Sequence, residues 1–400
     1  MTSQSKLSGN SGRPFLQIPG PTLVPERIVR AMSRSLIDHR GPDFAALLKD
    51  VIEGLKGVFK TSKGRIVVFP GSGTAAWEGC IVNTLSPGER VLGCVNGHFS
   101  SLFCRTAESF GVQVEALEFP YGAGVSGARV EERLQHDVKH NIKAVLVVHN
   151  ETSTGVTSDI PAIRHALDRA RHPALLLVDS VSSVASIEFR LDDWRVDVAL
   201  AGAQKGLMLP PGLAILAIGE RALEASKSAR CPRSFWDWGP ILERNRLGEV
   251  PSTPATAHFF GLKESLAMLG EEGLPNVFRR HARLAESCRR AVQAMGLRLL
   301  AGNPAEYSNT LTAVCMPEGF DADAFVAHAY KRLNFSLGIG LGQVKGKIFR
   351  IGHLGSLNEL ELLGALAGVE MALKSFGVKI PVGAGLTAAE SYLLETASAD

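Results

Sequence analysis

VDVALAGAQKGLMLPPGLAIL, Val196 to Leu216, is the stretch that decides the fold. Two apolar runs of strand length flank a short loop carrying Lys205, Gly206 and Pro210-Pro211-Gly212. A run of Val, Leu, Ile and Ala on both faces fits a strand that is covered on both sides. The same kind of run recurs upstream in GRIVVF (64–69), ERVLGCV (89–95), VQVEALEF (112–119), IKAVLVV (142–148) and ALLLVD (174–179). With VDVALAG (196–202) and LAILAIG (213–219) this makes seven strands. Helical patterns at 43–60, 74–86, 128–140 and 159–171 lie between most of them. Alternating strands and helices predict an α/β fold, with a mainly parallel seven-stranded sheet between layers of helices.

Beyond residue 256 the pattern changes. Long amphipathic stretches at 258–272 and 274–295 precede short strands near 297–300, 310–316 and 347–351, then a helix at 358–376. That predicts a smaller C-terminal α+β domain. The boundaries read as an N-terminal arm over 1–25, a large domain over 26–272 and the small domain over 273–400. Residues 1–13 read as a mobile tail, and IPGPTLVP (18–25) as an extended crossing, because Pro and Gly exclude a helix there. The last twenty residues carry no decisive pattern.

Composition narrows the function classes. The chain is 45% hydrophobic and 21% charged, and its net charge of +3 gives no electrostatic footprint for nucleic acid or a membrane surface. Its six cysteines are scattered without a C-x-x-C pair, a pattern of reduced intracellular thiols. The N-terminus lacks an apolar signal core, and no apolar run approaches a membrane span. The expectation is a cytoplasmic protein of two domains.

In an open α/β sheet, ligands bind past the carboxyl ends of the strands, so residues at those positions are the candidates for chemistry. VVFPGSGTAAWEG (67–79) runs from a strand through a Gly-rich turn into a helix near Thr74. Gly71 and Gly73 permit close backbone approach, free N–H groups point outward, and Ser72 and Thr74 add hydroxyls. The turn suits a phosphate, and equally an ordinary strand-to-helix connection. Asp179 follows the wholly apolar strand ALLLVD. It is a helix cap, half of a buried ion pair, or a counter-ion for a protonated ring nitrogen. Lys205 stands in a loop after another apolar strand, as a carbonyl-trapping amine or as a plain surface lysine. Each signal is modest. In this order they form the set that pyridoxal-phosphate chemistry needs: a phosphate cradle, an acid for the pyridine nitrogen and an imine-forming lysine.

The chain also resembles the class V, fold-type I pyridoxal-phosphate aminotransferases, specifically the serine–glyoxylate and alanine–glyoxylate group. The resemblance rests on IPGPT, DHRGPDF (38–44), GSGTAAWE, VHNETSTGV, VDSVSS, AGAQKGLMLPPG, STPAT, KESLAMLGEEGL and GKIFRIGHLGSLNELELLGALAGVEMAL, and covers nearly the whole chain. It implies that Lys205 is the catalytic, cofactor-bearing lysine and Asp179 the partner of the pyridine nitrogen. Ser72, Gly73, Thr74 and Gln204 match phosphate-contacting positions. Phe99 falls where the family stacks an aromatic ring on the cofactor, here Phe rather than Trp, and Val181 covers the other face. Thr152 matches a hydroxyl near the ring oxygen, and Arg350 the substrate-carboxylate arginine. Thr253 resembles a residue that reaches the phosphate of a neighbouring subunit, which implies a homodimer. The implied reaction moves the amino group of a small L-amino acid, serine first, to glyoxylate. Alanine or aspartate donors, or a lyase or desulfurase reaction on the same fold, are the alternatives.

Relatives carry Tyr where this chain has Ser252. The segment CPRSFWDWGPILERN (231–245) is unfamiliar and is expected near the substrate entrance. His136 and His140, four apart in HDVKH, read as a solvated helix face rather than a metal pair. Asp192-Asp193 and Glu271-Glu272 read as exposed charges, Trp77 as core, and His353 as either structural or close to the site.

Overall fold

A computed structural model describes residues 13–397. The large sheet has the spatial order Arg65–Gly71, Gly212–Ile218, Val198–Gly202, Leu175–Asp179, Ile142–Val148, Arg90–Val95 and Gln113–Glu118. All seven expected strands are present. Six are parallel, and Gly212–Ile218 runs antiparallel to both neighbours. Only nine residues (203–211) separate it from Val198–Gly202. That connection is too short for the crossover a parallel pair requires.

Side chains alternate between the two faces of the sheet with period two. Leu176 and Val178 join Phe44, Leu48 and Val51 of helix Pro42–Phe59 in one core. Leu175 and Leu177 point the other way, toward Trp77, Cys80 and Phe103 of helices Gly73–Thr84 and His98–Ser109. Each fully buried side chain of this size contributes about 1.5–3 kcal/mol of transfer free energy. The inner strands therefore have no polar face, which is why their sequences read as continuous apolar runs, whereas the edge strand Gln113–Glu118 leaves Gln113 and Glu118 exposed.

A five-stranded sheet packs around a separate core. Its order is Phe15–Gln17, Phe335–Ile339, Ile348–Gly352, Leu311–Cys315 and Arg298–Leu299. Phe15–Gln17 joins as an edge strand parallel to Phe335–Ile339. Residues 1–12 of the expected tail lie outside the described residues. The C-terminal stretch forms helix Ala384–Glu395, tied down by the buried Glu370 carboxylate, which accepts the N–H groups of Gly383 and Gly385 at 2.7 and 2.9 Å. Among the described residues no helix is long and apolar enough to cross a membrane.

Two expectations need correction. The helix expected over 128–140 ends at Gln135, because Asp137 turns back to accept the Ile142 N–H at 2.7 Å and His140 takes a left-handed φ of 50°. His136 and His140 are exposed but share no helix face. The segment 231–245 packs behind the edge strand Arg65–Gly71, with Trp236 on Phe69 at 4.9 Å and Trp238 buried.

Candidate active site

A cavity opens at the carboxyl ends of the parallel strands. Nine of the expected residues line it: Ser72, Gly73, Thr74, Phe99, Thr152, Asp179, Val181, Gln204 and Lys205. The topology brings them together at the ends of five strands of one sheet: Ser72, Gly73 and Thr74 follow Arg65–Gly71, Phe99 follows Arg90–Val95, Thr152 follows Ile142–Val148, Asp179 and Val181 stand at the end of Leu175–Asp179, and Gln204 and Lys205 follow Val198–Gly202. Arg350 and Thr253 do not line it. Arg350 lies on the small-sheet strand Ile348–Gly352, beside Thr152, and Thr253 is exposed.

Asp179 is 4% exposed and forms no ion pair in the described structure. Its Oδ1 accepts the Val181 N–H and its Oδ2 the Trp77 indole N–H, both at 2.8 Å. Burial pushes the carboxyl up to about 6 against these two donors and the distant Lys205 charge. Trp77 is thus a cavity residue as well as core. A buried indole next to a strand-end carboxylate leaves no periodicity signal by which to find it.

Lys205 sits in a tight turn whose Met208 N–H returns to the Lys205 carbonyl at 2.9 Å. Gly206 lets that turn pack against the chain beside it, because a Cβ there would lie 2.3 Å from the Val184 carbonyl oxygen. The Lys205 amine donates to the Pro19 carbonyl. Desolvation, then the Arg350 charge, pull it down to about 8, while Asp179 acts in the opposite direction. The IPGPT motif therefore forms part of the site, and Gly20 and Pro21 also line the cavity. Thr22 ties this segment to the lysine loop through its N–H on the Gln204 carbonyl at 3.1 Å.

Helix Gly73–Thr84 begins at Ser72, whose hydroxyl makes no capping hydrogen bond. The first-turn N–H groups face the cavity and carry the positive end of the helix dipole. The buried side-chain oxygen of Gln204 also has no partner. The first-turn N–H groups and the Ser72 hydroxyl, with an acid and an amine around one cavity, suit an anionic, ring-bearing aldehyde.

Glu151, fully buried, accepts from Ser100 N–H at 2.9 Å, Phe99 N–H at 3.3 Å, and the N–H and hydroxyl of Ser153 at 3.0 and 2.7 Å. It caps helix His98–Ser109 and fixes the position of Phe99. Arg350 is 6% exposed; its Nε donates to the Ile339 carbonyl at 2.9 Å and its Nη1 to the Thr152 carbonyl at 2.8 Å. Burial lowers it to about 10. Asn150 and Ser182, inside motifs read from the sequence, also line the cavity, with Asn150 donating to Ser182 at 2.8 Å. His353 is structural: it is buried and bonds Thr312 at 2.9 Å and the Asn309 carbonyl at 3.3 Å.

The sheet order and the position of the cavity are those of the fold-type I transferases. The ureidoglycine–glyoxylate aminotransferase of Bacillus subtilis superposes with a TM-score of 0.89 at 27% identity, over 96% of this chain and 99% of that one. Within that class, the aminotransferase class-V family model matches residues 15–329, and the chain belongs to that family. It is 49% identical over 389 residues to a serine–glyoxylate aminotransferase of Methylorubrum extorquens, covering 96% of this chain and 97% of the relative. It is 46% identical over 382 residues to an L-aspartate–glyoxylate aminotransferase of Paracoccus denitrificans, covering 96% of each.

Proposed function

We propose that this chain is a pyridoxal-phosphate aminotransferase that moves the amino group of a small L-amino acid, L-serine foremost, to glyoxylate, leaving hydroxypyruvate and glycine. The observation that carries this reading is the pairing of an amine lowered to about 8 with a buried carboxylate raised to about 6 at one cavity. Neither has a salt-bridge partner among the described residues, and buried charges left in this way mark functional sites.

Pyridoxal phosphate, when bound, supplies a carbonyl carbon for the amino group and an electron sink for the pair released at the substrate Cα. The rest falls to the protein. Lys205 Nζ, partly unprotonated near neutrality, would hold the cofactor at that carbon and, when released by the substrate amine, would take up the Cα proton. Asp179 would keep a proton on the pyridine nitrogen. Ser72, Gly73, Thr74 and Gln204 would hold the phosphate, and Phe99, Val181 and Thr152 would hold the ring. Arg350, held by two carbonyls, presents its remaining N–H groups to the substrate carboxylate.

Thr253 stands on an exposed segment away from its own cavity, which supports service to the cofactor of a second copy in a homodimer. Leu36 and Leu247, 74% and 65% exposed, are apolar surface that such a partner would cover. Six free thiols suit a cytoplasmic location. A desulfurase reading finds no support, because none of the six cysteines lines the cavity.

Relatives of nearly equal identity bear serine and aspartate in their names, so the donor is the finer question. With glyoxylate as acceptor, glycine formation from serine, alanine and aspartate ranks them. Serine is expected to give the highest kcat/KM. A higher value for aspartate or alanine would replace the donor, and no glycine from any donor would overturn the reaction.

A further inference from the structure

Trp77 is the residue that the sequence assigned to the core and the structure placed on the acid. It lies one turn into helix Gly73–Thr84, 4% exposed, with its indole stacked on Phe103 at 5.8 Å and 20° between the planes. Helix and stacking partner leave the ring little freedom, so the direction of its N–H is set by packing. That N–H meets Asp179 Oδ2 at 2.8 Å, while the Val181 N–H occupies Oδ1. A buried indole N–H usually finds some acceptor, yet the equally buried Trp238 leaves its own without one. Satisfying an indole is thus no strict requirement of this fold, and the bond at Trp77 is better read from the side of Asp179.

We infer that Trp77 is a positioning residue for the proposed reaction, holding the Asp179 carboxylate ionised and in a fixed plane so that it can keep a proton on the cofactor ring nitrogen. This rests on the proposed function. The charged groups acting on Asp179 are Lys205, which favours its ionised form, and Glu151, which opposes it. Of the donors, only the Trp77 N–H comes from a side chain, and hydrogen bonds to charged groups are among the stronger ones.

Without the indole donor, Asp179 holds its negative charge less well and the ring nitrogen keeps its proton less well. Less positive charge then opposes a proton on the Lys205 nitrogen, so the pH midpoint of the visible absorbance band moves up.

The test compares the parent holoenzyme with Trp77→Phe, which removes the donor, and Trp77→His, which keeps one. Three quantities are read: the pH midpoint of the band, pyridoxal-phosphate affinity by absorbance titration, and the melting temperature of the cofactor-free protein. The Phe variant is expected to raise the midpoint by about half a unit or more and to weaken cofactor binding about tenfold. The His variant is expected to return both toward the parent. A Phe variant with a lower melting temperature but a parental midpoint and affinity would make Trp77 structural only. Should the Phe variant fail to fold, the His variant decides: a parental midpoint supports the role, and a shifted one overturns it. A parent that binds no pyridoxal phosphate would instead overturn the proposed function, and this role with it.

Discussion

Asp179 and Asp197 end up buried at opposite ends of neighbouring strands, each 4% exposed, yet they have different surroundings. Asp197 precedes Val198–Gly202 and accepts the Leu176 N–H at 2.7 Å and Arg221 Nη1 at 3.2 Å. Around it Arg164 and Arg195 share Asp168, and Asp192 accepts the Thr61 hydroxyl at 2.6 Å. Asp197 and Asp168 each meet a guanidinium that answers the charge. At the carboxyl end, Asp179 has only neutral donors, and Lys205 and Arg350 have only carbonyls. Burial raises both aspartates. Only at the cavity is the imbalance left for a ligand to correct, and that difference separates chemistry from architecture.

The sharpest contrast comes from deleting charges at the two ends. Lys205→Ala is expected to abolish amino transfer and the visible band without lowering the melting temperature of the cofactor-free protein, since a desolvated cation is removed. Asp179→Asn keeps the shape and is expected to lower kcat/KM by roughly 100-fold or more. Asp197→Asn should do the reverse. Activity stays within about twofold while the melting temperature drops by several degrees, because Arg221 loses its carboxylate. Equal losses of activity from Asp179→Asn and Asp197→Asn would erase the distinction.

Arg350→Lys comes next in size. A lysine offers no planar fork to hold the Ile339 and Thr152 carbonyls and a substrate carboxylate together. KM for the amino donor is expected to rise about tenfold or more with a smaller change in kcat, read from steady-state kinetics. A loss confined to kcat would move Arg350 from binding to the reacting centre.

The smallest effect concerns pH. The Asp179 carboxyl is raised when folded, so its contribution to stability is full below about pH 3.8 and is lost as pH rises through about 6. Lys205 is depressed, so its contribution is full above about 10.5 and is lost as pH falls through about 8. Stability of the cofactor-free protein from these two groups is therefore lowest between pH 6 and 8. Cofactor that pairs both groups should raise the melting temperature most in that window. Asp197 titrates alike with and without cofactor and cancels from the difference. A gain independent of pH would mean that neither charge is answered by the ligand.

The large sheet was legible because its inner strands are buried on both faces, and apolar runs such as ALLLVD and LAILAIG leave no other reading. The small sheet was legible only in part. Phe15–Gln17 is three residues long and Phe335–Ile339 contains Ser and Gly, so neither shows a pattern until its partner lies beside it. Helix Ala322–Leu333 was not read from the sequence, although Ala322, Phe325, Val326 and Ala329 form its buried stripe at i, i+3, i+4 and i+7. In the site, Ser72, Gly73, Thr74, Asp179 and Lys205 were found by their place after strands, whereas Gln204, Phe99, Thr152, Val181, Arg350 and Thr253 came from the family resemblance. Trp77 was read only as core, and Glu151 and Gly20 were not singled out, because their roles depend on contacts made across long sequence separations: Trp77 with Asp179, Glu151 with Phe99, and Gly20 with Lys205. The segment 231–245 was misjudged because its aromatic residues suit a substrate entrance as well as the back of an edge strand.

The central claim is that Lys205 and Asp179 are unpaired so that pyridoxal phosphate can pair them. It is tested most directly by the visible spectrum of the purified protein, taken with pyridoxal phosphate, then after L-serine alone, then after glyoxylate. The account predicts a band that forms with the cofactor, bleaches with serine and returns with glyoxylate, and that is absent in Lys205→Ala. A protein that stays colourless with excess cofactor would contradict it.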